Sequence, residues 1–205
     1  MRENKSNIKR IAVLLLAVML LIGCTIGGTL AWLSATTTEV TNTFTIGNIT
    51  IDLKEHKLGT DGTLTNEEVV ENSYKIVPGG KQPKDPFVTV EAGSEKCYVY
   101  VLVTNTVMVD ETIVATPNIE SEKWSVVKAD GGKTLYRYYQ VVDASAADVE
   151  CPVFTSVEYS DSIEKDDIET LTNTKIIIDA YAHQSENITD VTVADNAAKD
   201  HFELT

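Results

Sequence analysis

The chain has 205 residues, 43% of them hydrophobic, and carries 17 basic against 31 acidic side chains for a formal net charge of −14. That length favours a single domain with a sizeable core. So acidic a surface repels nucleic acid and anionic membrane, and it keeps an exported protein soluble.

The first ten residues hold Arg2, Lys5, Lys9 and Arg10 against Glu3 and run straight into the apolar block from Ile11 to Ile22. This is the layout of an N-terminal signal helix. Small residues follow (Gly23, Gly27, Gly28), and Ala31 offers a signal peptidase the small side chain it needs. The expected cut lies between Ala31 and Trp32, so residues 1–31 form the signal peptide. Two other readings compete for the stretch. No charge occurs from Ile11 through Thr38, enough for the roughly 20 apolar residues of an uncleaved anchor, and Leu21-Ile22-Gly23-Cys24 reads as a lipobox that would lipidate Cys24. Cleavage at Ala31 leaves 174 residues with 13 basic and 30 acidic side chains. The body is then expected outside the cell, secreted or held at its surface, with membrane contact only through the signal segment.

Residues 32–48 precede the expected body at 49–205. From Phe44 to Leu53 the apolar positions are even before Gly47 and odd after it, so Gly47-Asn48 marks a bulge or break in a strand. Leu58 to Asn66 and Pro78 to Pro83 read as turn-rich loops. Phe87–Glu91 and Pro152–Tyr159 are weaker strands. Cys97 to Val103 alternates with both faces apolar, which predicts a central strand. Lys123–Val127 and Thr134–Val142, joined by Asp130-Gly131-Gly132, predict a hairpin, and Thr174–His183 another strand. Asp161–Glu169 reads as an acidic loop or short helical turn. The tail from Asp190 has modest helical character, with Val193, Ala197 and His201 at i, i+4 spacing. Many short strands without alternating helices predict an all-β, antiparallel β-sandwich.

Catalytic grammar is missing from this pattern. The histidines His56, His183 and His201 stand at no ligand spacing, and neither HExxH, Gly-x-Ser-x-Gly nor a phosphate-cradling glycine loop occurs. The acids Asp161, Glu164, Asp166, Asp167 and Glu169 lack the order of a calcium loop. Tyrosines 98, 100, 136, 138 and 139 are ordinary sheet fillers. Neither a cofactor nor a catalytic or metal-binding residue is expected. Cys97 and Cys151 survive cleavage as an even pair, which permits a disulfide or two small buried side chains.

Gly27-Gly28-Thr29-Leu30-Ala31-Trp32-Leu33-Ser34, followed by Asn42-Thr43-Phe44-Thr45-Ile46-Gly47-Asn48-Ile49, resembles the TasA/camelysin family of exported proteins from Gram-positive bacteria, whose signal peptides are processed by the SipW signal peptidase. Val77-Pro78-Gly79-Gly80 with Lys84-Asp85-Pro86 is similar to the segment that follows in many members. The resemblance implies a jelly-roll domain that self-associates, or joins related matrix proteins, into biofilm-matrix fibres. It also implies that the mature N-terminus acts as a donor strand, here Trp32 to Phe44 with Trp32, Leu33, Val40 and Phe44 as anchors. Camelysin's metal-dependent peptidase activity finds no recognisable ligand set here. The expected function is therefore structural and non-enzymatic, with a monomeric surface adhesin as the alternative.

Overall fold

A computed structural model describes Leu14, Leu15 and residues 48–204. The expected cut at Ala31 and Trp32, the lipobox at Cys24 and the donor anchors Leu33, Val40 and Phe44 lie outside the described residues. Leu14 and Leu15 are helical and exposed. Among the described residues no helix is long and apolar enough to cross a membrane.

Residues 46–205 form one compact unit, an all-β sandwich of antiparallel sheets. The first sheet contains β1 (Ile51–Leu58), β2 (Leu64–Val69), β4 (Phe87–Val90) and β11 (Val149–Pro152), in the order β11-β4-β1-β2. The second contains β5 (Cys97–Asn105), β9 (Trp124–Asp130), β10 (Lys133–Tyr138) and β13 (Ile176–Gln184), in the order β13-β5-β10-β9. A smaller sheet, β3-β12-β8, joins β3 (Lys81–Pro83), β12 (Ser156–Tyr159) and β8 (Ala115–Pro117). The short strands β6 (Met108–Val109) and β7 (Thr112–Ile113) make a hairpin. Two short helices complete the described domain, α1 (Asp167–Thr170), which runs on into a 3-10 turn, and α2 (Thr192–His201).

Strand β5 is central, as its two apolar faces require. Its inward face (Cys97, Val99, Val101) joins a core with Val88 and Val90 of β4 and with Cys151, Val153 and Phe154. Its outward face is also covered: Tyr100 and Leu102, with Leu135 of β10, pack under Ala194 and Ala198 of α2. Asp195 fixes that helix, accepting hydrogen bonds from Arg137 Nη1 at 2.6 and 2.7 Å and from the Tyr100 hydroxyl at 2.9 Å. The hairpin turn needs Gly132, which has φ +85° and lies so close to Asn105 O and the Met108 side chain that a Cβ would collide.

Several expectations are corrected. The loop expected at Leu58–Asn66 is a tight turn from Gly59 to Thr63, after which β2 starts at Leu64. Strand β2 (LTNEEV) is polar on both faces and mostly exposed, so it carries no alternation to read. The loop expected at Pro78–Pro83 ends in edge strand β3, where Pro83 is tolerated because edge positions do not all need an N–H. Pro152–Tyr159 is two strands, β11 and β12, in different sheets. The second hairpin strand stops at Tyr138 rather than Val142, although Val142 still exchanges hydrogen bonds with Cys97. Strand β1 begins at Ile51, after Gly47-Asn48. In α2 the buried face is Ala194 and Ala198, while Val193 is 56% exposed, so the helical spacing was right and the buried face is shifted by one residue.

Candidate functional site

One described opening is a groove of about 910 Å³. It is lined by Leu53–Glu55 of β1, the segment from Val70 to Ile76, Gln82 and Lys84, Val157 and Tyr159 of β12, and the start of β13. Chain topology alone brings these pieces together.

Two features make the groove unusual. Strand β13 pairs with β5 in unbroken register over nine residues, Ile176↔Asn105 to Gln184↔Cys97, and nothing among the described residues pairs with its other edge. Its inward residues Ile176, Ile178, Ala180 and Ala182 touch the core yet stay only half-buried. Across the groove, residues 71–77 alternate like a strand: Asn72, Tyr74 and Ile76 turn inward while Glu71, Ser73, Lys75 and Val77 are exposed. From Glu71 to Ile76 no backbone hydrogen bond is made among the described residues. An open edge and an unladdered extended segment thus line the same groove, together with apolar side chains.

Side chains hold that segment in place. Asn72 receives Leu58 N at 2.8 Å and donates to His56 O at 2.9 Å. The Tyr74 hydroxyl donates to Glu55 Oε2 at 2.9 Å, the same oxygen that takes the Lys84 ammonium, and Lys84 stands 4.8 Å over the Tyr74 ring. Both charges are buried, with Glu55 4% and Lys84 9% exposed. Burial, and then the neighbouring Glu55 carboxylate, push the Tyr74 phenol far above its ordinary range, so the hydroxyl remains a donor. Removing one member of this cluster would strand a buried charge, which is far worse than never having built the pair.

The other candidates read from the sequence are dispersed. His56 Nδ1 lies 2.7 Å from Asp85 Oδ2, whereas His183 and His201 flank Tyr181 at the opposite face, with His201 stacked on its ring at 4.4 Å. No group of three metal-ligating side chains occurs among the described residues, so the acids from Asp161 to Glu169 do not converge on a cation. Tyr100 and Tyr138 are buried, Tyr98 and Tyr136 are half-buried, and Tyr139 is 55% exposed.

Cys97 and Cys151 sit in the same core, fully buried and unbridged. Burial pushes the Cys97 thiol up to about 11 and, with the nearby Cys97, the Cys151 thiol up to about 12. Neither is a reactive nucleophile at neutral pH. Groove residues Tyr74 and Gln82 escaped the sequence reading because no local pattern marks them, and Lys84 entered it only through the Lys84-Asp85-Pro86 resemblance.

No family model, curated protein or solved structure matches this chain.

Proposed function

We propose that this protein is a non-enzymatic structural subunit of the cell surface or extracellular matrix, related to the TasA-like proteins it resembles, and that it self-associates by strand addition. The carrying observation is the open edge of β13 beside the apolar groove. Such an edge presents a row of unpaired N–H and C=O groups, and an incoming strand satisfies them while its alternate side chains fill the pockets below.

The proposed occupant is the segment Trp32 to Phe44 of another copy. The chain enters the described domain at Asn48, whose carbonyl accepts Glu95 N, at the end where Gln184 pairs with Cys97. The groove lies at the other end, where Ile176–Ile178 begin β13. Sixteen residues separate Trp32 from Asn48, roughly 50 Å when extended, enough to reach a neighbour's groove. Donor and acceptor at opposite ends make the contact heterologous, and head-to-tail copies of such a contact grow into filaments instead of closing. A jelly-roll arrangement of the sandwich fits this reading.

Deleting Trp32–Phe44 from the processed protein tests it. The truncated chain is expected to remain a folded, soluble monomer and to lose assembly measured by light scattering and electron microscopy. Fibres that form as readily without the segment would refute strand donation.

A further inference from the structure

The groove wall is mainly apolar, yet it contains an amide with nothing to bind. Gln82 lines the groove, and its Oε1 is shut off from solvent without a hydrogen-bond partner among the described residues. Buried polar atoms without partners are rare in folded proteins because each forfeits its hydration. Lys84 and Tyr74, which also line the groove, donate to Glu55 and not to Gln82. The side chain of Gln82 is only half-buried, and the terminal torsion of a glutamine is soft, so its amide can be turned toward an occupant. The other unpaired buried side-chain atom among the described residues, Ser156 Oγ, belongs to a residue outside the groove wall.

The segment named above as occupant carries one matching group. Between Trp32 and Gly47 the single side-chain amide is Asn42, and it stands in the run Val40-Thr41-Asn42-Thr43-Phe44. In an extended strand residues i, i+2 and i+4 share a face, so Asn42 would be flanked by two apolar residues on the side it presents. Thr38 and Thr36, on the same alternation, have no such flanks.

We propose, resting on the strand-addition reading, that Asn42 of one copy pairs amide to amide with Gln82 of the next, with Val40 and Phe44 seated in the apolar groove on either side. Each amide offers both a donor and an acceptor, so the pair can close in either flip state. The pairing fixes register. A slip of one residue turns Asn42 to the opposite face, and a slip of two sets it against aliphatic side chains, much as one buried polar position fixes register in a coiled coil.

The test is the concentration at which the processed, full-length protein begins to assemble, in N42L, Q82M and the double variant, with circular dichroism confirming each monomer's fold. Either single substitution leaves one amide buried alone and is expected to raise that concentration about tenfold. The double variant removes both amides and is expected to return to within about threefold of the wild type. Effects that simply add overturn the pairing. Independently of folding in Q82M, a mixture of N42C and Q82C copies treated with a mild disulfide oxidant should give covalent dimers that a T41C and Q82C mixture does not; equal yields from both mixtures also overturn it. Loss of assembly on deleting Trp32–Phe44 together with additive singles would reject the pairing alone, whereas assembly that survives the deletion rejects the strand reading beneath it.

Discussion

The two free edges of the second sheet differ sharply. Strand β9 has an irregular edge: its register with β10 shifts at Leu135/Tyr136, leaving Val127 unmatched between Val126 and Lys128, and it carries Lys128 and Asp130. Bulges and charges are the usual devices that keep an edge from pairing with another chain. Strand β13 lacks the bulge, runs nine residues in register, and opens onto half-buried aliphatic side chains. One edge of a single sheet is thus bulged while the other, though it carries the exposed Asp179, is regular throughout, and burial alone would not have distinguished them. Val126 on the bulged edge is in fact more exposed, at 61%, than Ile177 at 43%.

The contrast can be broken by exchanging the edges' characters. A lysine at the open edge, Ile178→Lys, would put an ammonium where the incoming strand should pack, and should raise the assembly concentration about a hundredfold. The same change at Val126 of β9 should shift it by less than about twofold; equal effects at both sites would erase the distinction drawn here. A second comparison concerns what holds the sheet's two faces. Asp195→Ala leaves Arg137 and the Tyr100 hydroxyl without their partner beneath α2, and should lower unfolding free energy by about 2 kcal/mol in a denaturant titration. Strand β9 is pinned at its start by Trp124, whose indole N–H donates to Pro152 O at 2.8 Å. Trp124→Phe keeps much of the apolar ring, loses that bond, and should cost about 1 kcal/mol.

A further expected effect is on alkaline stability. The folded-state thiols of Cys97 and Cys151 are raised from 9.0 to about 11 and about 12. Above pH 9.0 the unfolded chain therefore releases these protons more readily than the folded one. The thiols' contribution to stability should be level below that pH and decline as pH rises toward about 12. Denaturation midpoints of the wild type and of Cys97→Ala/Cys151→Ala, compared at about pH 8 and pH 10.5, should show a steeper decline in the wild type. Parallel declines would mean that the thiols do not titrate.

The sequence announced the sheet-built body because its strongest strands, Cys97–Val103 and Thr174–His183, carry apolar alternation through most of their length. It hid β2, whose Thr65, Asn66, Glu67 and Glu68 are all exposed, and it ran β11 and β12 together because Val153-Phe154-Thr155 continues the β-rich composition while the chain changes sheets. The donor segment could be proposed from a local run of residues. The acceptor could not, because Tyr74, Gln82, Lys84 and Ile176 meet only after crossovers that no spacing reveals. Even the openness of β13 is a statement about what lies beside it, which a strand's own residues do not record.

Amide hydrogen exchange on the processed protein, before and after assembly, bears most directly on the open edge. The account predicts that amides from Ile176 to Gln184 that exchange readily in the monomer become protected in the assembled state, while those of Trp124 to Asp130 are unchanged. Protection gained along β9 with β13 unaltered would contradict it.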